Sequence, residues 1–185
     1  MEPLVIVLVV LFIIAFLIIG LYILSKYNSF IKLRKTVEQS KSGIDVYCQQ
    51  RFDLIPNLVT TVKTYMKFEE KVLKELTELR TQYLNSKDIK VGEHLNNQLN
   101  TVLVTAENYP ELKASEQFLN LQQNLTKMEN QLQAARRIYN IAVTDYNTAI
   151  AQAPGNVIAG MFGFKEAPLF EIIDQAAKEN VEVKL

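Results

Sequence analysis

The chain has 185 residues, 20 Lys+Arg against 20 Asp+Glu, 49% apolar residues, and only 6 Gly and 5 Pro. Neutral balance argues against a nucleic-acid binder, which carries a basic excess on one face, and the scarcity of Gly and Pro leaves little room for a turn-rich β fold. A lone Cys48 and a lone His94 exclude an intrachain disulfide and a His/Cys zinc cage, and leave little scope for a histidine-based triad.

The apolar residues are unevenly spread. Leu4–Leu24 is 21 residues without a charge, about 31 Å as a helix and so matched to the roughly 30 Å hydrocarbon core of a bilayer. A cleavable signal peptide would need a basic start, a shorter apolar run and small residues at the cut. Here the start is Met1-Glu2-Pro3 and no Ala-x-Ala follows, so residues 4–24 read as a retained transmembrane helix. No Lys or Arg precedes it, whereas Lys26, Lys32, Arg34, Lys35 and Lys41 follow, with Glu38 alone opposing. Lys and Arg resist translocation, which puts residues 1–3 outside and the remainder in the cytoplasm. Lys26, Lys32, Arg34 and Lys35 are the candidates for contact with anionic lipid headgroups.

Residues 25–153 read as an antiparallel helical bundle. The first helix of this body carries Phe30, Leu33, Val37, Ser40, Ile44, Cys48, Ile55, Leu58, Val62 and Tyr65 in steps of three and four. Pro56 interrupts it, removing an N–H and freeing the carbonyl of Phe52. Two arrangements compete: a new helix capped by Asp53 with Pro56 in its first turn, or one long kinked helix. The apolar phase survives across the proline, which favours the kinked helix. A second helix is predicted over Glu69–Ser86 and a third over Lys90–Asn108, stopped by Tyr109-Pro110. Ser115 caps the fourth, in which Phe118, Leu125, Leu132, Tyr139, Tyr146 and Ala153 recur every seventh residue. Leu121, Met128, Ala135, Ala142 and Ala149 lie between them, giving a coiled-coil-like seam that ends at Pro154-Gly155.

The first and fourth helices, each about 40 residues, outrun the second and third at about 18, and short connections make neighbours antiparallel. The expected architecture is an all-α, up-and-down four-helix bundle continuing from the membrane helix, with long first and last helices. Beyond the four-helix part only a pair remains, lined by small residues that bury little area. Residues 154–185 form an apolar C-terminal segment and tail holding Val157, Ile158, Met161, Phe162, Phe164, Leu169, Phe170, Ile172 and Ile173. These either fold back over the pair or form a patch for a partner or the lipid interface. For that second role Ile158, Met161, Phe162, Phe164 and Phe170 are the candidates.

Particular residue blocks carry a family resemblance. Ile44-Asp45-Val46, then Arg51-Phe52-Asp53-Leu54-Ile55-Pro56-Asn57-Leu58-Val59, resemble the core motif of the LemA family. Ala106-Glu107-Asn108-Tyr109-Pro110-Glu111-Leu112-Lys113-Ala114, Ala135-Arg136-Arg137, Tyr139-Asn140, Tyr146-Asn147 and Asn156–Phe164 are similar to its later blocks. The resemblance implies a bacterial single-pass protein of the inner (cell) membrane with a cytoplasmic helical bundle. It implies no established activity; some relatives lie beside membrane-protease or envelope-stress components, and one branch belongs to magnetosome membranes.

The polar residues favour structure over chemistry. Asp45 and Asp53 stand about 12 Å apart along a helix, beyond the roughly 5–9.5 Å separation of glycosidase carboxylates. Arg51 falls on the apolar seam, where a charge needs a partner or a route to water. Asp45, Arg51, Asp53, Pro56 and Asn57 therefore read as a structural ion-pair set at the proline, with Asn57 satisfying the Phe52 carbonyl directly or through water. Arg136 and Arg137 are expected to pair with acids on a facing helix, and His94 to lie at the surface. No catalytic, cofactor-binding or metal-binding residue is expected, nor a nucleic-acid or small-molecule partner. The expected function is that of a membrane-anchored scaffold or adaptor, not an enzyme, with the lipid bilayer, further copies of itself and a membrane-protein partner as its contacts. The alternative is an extracytoplasmic sensor bundle of inverted topology.

Overall fold

The structure, a computed structural model, describes residues 3–65 and 70–170. The side chain of Tyr65, the helix start expected at Glu69, and Ile172 and Ile173 lie outside the described residues. About 88% of the described residues are helical and none lies in a strand. Among the described residues seven helices follow in order: α1 (Pro3–Phe52), α2 (Ile55–Tyr65), α3 (Glu70–Ser86), α4 (Ile89–Ala106), α5 (Pro110–Lys113), α6 (Glu116–Ala151) and α7 (Gly155–Phe162). They divide between two compact units, one of residues 39–138 and the other of residues before 39 and after 138.

In the unit of residues 39–138, the single kinked helix expected through Pro56 does not form. α1 ends at Phe52, Asp53 and Leu54 make a turn, and α2 begins at Ile55 with Pro56 as its second residue. The cause is local: a proline ring in a continuous helix would strike the Phe52 carbonyl, whereas at a helix start its missing N–H costs nothing. The apolar phase still crosses the break, because Phe52, Ile55, Leu58 and Val62 are all buried. The freed Phe52 carbonyl accepts Arg80 Nε at 2.9 Å, the role expected of Asn57, which is exposed instead. Asp53 accepts Arg80 Nη2 at 2.8 Å.

α3 and α4 pack on each other, and α2 packs on α3 and α5. Lys87 turns the corner between α3 and α4 in a left-handed conformation at φ 52°, and the Asp88 carboxylate then caps α4 by accepting Lys90 N–H at 2.7 Å. Gly92 lets the two helices approach, since a Cβ there would stand 2.9 Å from the Tyr83 ring. Pro110 opens the short α5, whose Leu112 is fully buried.

In the other unit, Phe30 and Val37 of α1 and Tyr139, Ala142, Val143, Tyr146 and Ile150 of α6 are buried. The buried stripe of α6 is wider than the heptad seam, which did not include Val143 or Ile150. α6 ends at Ala151, leaving Ala153 exposed. α7 follows and closes with a Schellman motif: Gly163 at φ 70° donates to Gly160 O, and Phe164 N–H donates to Ala159 O at 3.0 Å. No residue of the apolar segment at the start of α1 is buried.

Candidate functional site

Two side-chain clusters and one exposed face stand out. The first cluster surrounds Arg51, which is 3% exposed on the apolar side of α1. A buried guanidinium needs several acceptors. Arg51 Nη1 donates to Asn96 Oδ1 and pairs with the Glu129 carboxylate, while Nη2 donates to Asn100 Oδ1 at 3.3 Å. Asn96 and Asn100 are four residues apart, hence on one face of α4. Burial, and then the neighbouring Arg136 guanidinium, pull Arg51 down to about 10, which still leaves it cationic at neutral pH.

Beside it, Cys48 is buried within reach of the Tyr83 hydroxyl, and burial raises the thiol above its ordinary range despite the opposing pull of that hydrogen bond. Burial likewise raises Tyr83, whose ring meets Phe52 edge-on at 4.9 Å and carries Lys87 Nζ at 5.3 Å. Each group is thus held in its neutral form, the opposite of what an activated nucleophile requires.

The sequence-predicted set is therefore divided. Arg51 meets Glu129 and two asparagines, Asp53 meets Arg80, Pro56 marks the helix break, and Asn57 is exposed. Asp45 is half-buried and makes no ion pair among the described residues. Arg136 is half-buried and Arg137 exposed. His94 lies at the surface, 3.6 Å from Glu75. Among the described residues no three His, Cys, Asp or Glu side chains are grouped to hold a metal ion. A groove of about 450 Å³, lined by Leu54 and Leu121 as well as Asn57, Thr61, Asn120 and Asn124, is open to solvent. Sequence reasoning missed Asn96, Asn100, Glu129 and Arg80; the four-residue Asn96–Asn100 spacing beside Leu95 and Leu99 was the available signal.

The second cluster is a ladder on α6 that holds residues 165–170 as an extended strap. Tyr139 and Tyr146 hydroxyls donate to the carbonyls of Pro168 and Lys165 at 2.9 and 3.0 Å. Asn147 donates to Ala167 O and accepts Ala167 N–H, both at 2.9 Å. Asn140 does the same with Phe170, at 3.0 and 2.8 Å. Each carboxamide thus imitates a neighbouring strand, and burial keeps both phenols protonated as donors by raising them. The Tyr-Asn pair recurs at seven residues because two helical turns return it to the same face.

The strap and α7 also locate the C-terminal apolar candidates. Ile158 is buried and Phe170 half-buried. Phe164 packs edge-on against Tyr27 at 5.6 Å and Phe30 at 5.4 Å. Met161 and Phe162 are exposed. The fold-back expectation therefore describes the strap, while part of the α7 surface stays uncovered. Of the basic residues, Lys26 Nζ lies 5.8 Å from the Tyr22 ring centre, Arg34 lies 5.7 Å from that of Phe164, Lys35 pairs with Glu38 at 2.6 Å, and Lys32 is exposed.

The chain is similar to known proteins along most of its length. Magnetosome protein MamQ 2 of Paramagnetospirillum magneticum is 24% identical, across 80% of this chain and 66% of its own length. MamQ of Magnetospirillum gryphiswaldense is 21% identical, across 80% and 65%. Protein LemA of Metamycoplasma hominis is 20% identical, across 78% and 68%. The chain thus spans just under two thirds of the MamQ relatives it matches. The family described as LemA matches residues 40–185, which include both the Arg51 cluster and the Tyr-Asn ladder: the chain belongs to the LemA family.

Proposed function

We propose that the protein is a membrane-anchored helical scaffold or adaptor that acts by binding rather than by catalysis. The observation that carries this reading is α1: its 21-residue charge-free start, Leu4–Leu24, is exposed, and the same unbroken helix goes on to supply Phe30 and Val37 to a packed core. Such a helix has the length to cross a bilayer and the rigidity to hold a folded body at its surface. The basic residues after the span favour an N-terminus outside and a cytoplasmic body at the inner membrane.

Within residues 39–138 we assign an antiparallel four-helix bundle. Its support is that Arg51 of α1 reaches Asn96 of α4 and Glu129 of α6, while Phe52 meets Tyr83 of α3. The buried groups favour scaffolding, since Arg51 is held by Asn96, Asn100 and Glu129, and Cys48 and Tyr83 are held in their neutral forms. Self-association is supported by Ile141, a large apolar side chain more than half exposed on α6. Service to cell-envelope maintenance or membrane-protein quality control is the cellular role we propose. Chemical crosslinking of the full chain in native membranes is the test. Homo-oligomers, reduced by Ile141→Glu, are the expected result; a lone monomer with no crosslinked partner contradicts the scaffold.

A further inference from the structure

α7 holds no charged residue, and its two faces differ in what covers them. Ile158 and Ala159 are buried, and Gly155 is pressed so closely inward that a Cβ there would stand 2.7 Å from Ala149 O and 3.2 Å from the Phe30 ring. On the outer face Val157, Met161 and Phe162 are 62%, 69% and 50% exposed, with Gly160 adding no side chain between them. Three large apolar side chains projecting from a helix of eight residues mark a surface meant to be covered.

The level of α7 along α1 identifies the cover. Phe162 packs on Tyr27 at 4.9 Å between ring centres, and Gly155 abuts Phe30. Tyr27 and Phe30 lie about 4.5 and 9 Å beyond Leu24 at the helical rise. If Leu4–Leu24 fills the hydrocarbon core, the headgroup layer extends roughly 5–7 Å further on each side, so the Tyr27–Phe162 contact falls within that layer and the Gly155–Phe30 contact just above it. The neighbours suit it. Tyr22 and Tyr27 are residues of the lipid–water boundary, and Lys26 can lay its stem along apolar surface and keep its ammonium in water.

We propose that α7 is an interfacial helix whose Val157, Met161 and Phe162 face seats in the same bilayer that Leu4–Leu24 crosses. The body then has two membrane contacts, a span and a shallow foot, and the foot fixes rotation about the span. A protein partner is disfavoured as the cover because the patch is small and carries no polar group to give it specificity. The inference rests on the reading of Leu4–Leu24 as a membrane span.

Depth-dependent fluorescence quenching tests it, with the full chain in a Cys48→Ser background reconstituted into phosphatidylcholine–phosphatidylglycerol vesicles. An environment-sensitive dye is attached to Met161→Cys, to Ile14→Cys, or to the exposed α6 position Asp145→Cys, and spin-labelled lipids carry the quencher near the headgroup or near the chain end. The expected result is that dye at Met161→Cys loses about half its emission or more to the shallow quencher and less to the deep one. Dye at Ile14→Cys is quenched by the deep one, and dye at Asp145→Cys by neither. A Met161→Cys signal unquenched while Ile14→Cys is quenched overturns the foot and leaves the span standing; a blue shift without quenching shows in addition that protein, such as a second copy, covers the face. An unquenched Ile14→Cys overturns the span, and the foot with it.

Discussion

Replacing Arg51 tests whether the buried polar cluster stabilises the fold. Arg51→Met keeps the apolar stem and removes the guanidinium, leaving the half-buried Asn96 and Glu129 and the exposed Asn100 without its donors. Breaking a buried ion pair from one side costs about 3–5 kcal/mol. The side chains of Arg51 and Glu129 are 4% and 23% exposed, so the carboxylate keeps some contact with water, and removal of Arg51 also relieves its repulsion with Arg136. The loss is therefore expected at the lower end, about 3 kcal/mol, or roughly 6–12 °C in Tm for a chain of this size. The double variant Arg51→Met/Glu129→Gln removes both charges. It is expected to lie within about 1 kcal/mol of the native chain, because a neutral pair escapes the desolvation cost that draws Arg51 downward. Urea denaturation of the full chain in detergent micelles, followed by circular dichroism, gives the four corners of the cycle. Purely additive losses, or a single variant that loses less than about 1 kcal/mol, would refute the reasoning.

Other expectations follow from the same geometry. Asn147→Ala deletes both hydrogen bonds to the Ala167 backbone, so hydrogen exchange at Ala167 should accelerate about tenfold; unchanged protection there would mean that the ladder does not hold the strap. Gly92→Ala places a methyl 2.9 Å from a Tyr83 ring already packed on Phe52. Overpacking of about 1–3 kcal/mol outweighs a propensity gain of about 0.5–1 kcal/mol, so thermal melting should show net destabilisation, and a raised Tm contradicts the close approach. Because burial raises the Cys48 thiol, its reactive thiolate appears at higher pH than in a free thiol. Labelling in the folded chain should accelerate only above the ordinary thiol range and jump on denaturation; a rate matching that of the exposed variant Glu111→Cys would count against it.

What was legible in the sequence was local. Periodicity found the apolar faces of the long helices, and the charge-free run found the exposed start of α1. Pro56 reads as a disturbance in the sequence, but Arg80, which meets the freed Phe52 carbonyl from 28 residues further along the chain, is a partner that no local pattern names. A guanidinium on the apolar seam at Arg51 calls for partners, yet Glu129 and the two asparagines come from other helices. How the strap is held escaped for a different reason. It is held through backbone atoms, so its own side chains carry no signature; only the repeated Tyr-Asn pair does, and a coiled-coil seam accounts for its tyrosines equally well.

The central claim, a body held on the cytoplasmic side by a single span, is tested most directly by accessibility in living cells. Cys48 is unsuitable as the reporter because it is buried, whereas Glu111 is exposed. With Glu111→Cys in a Cys48→Ser background, a membrane-impermeant maleimide should fail to label intact cells and label fully once they are permeabilised. Labelling of intact cells would place the body outside and contradict the account.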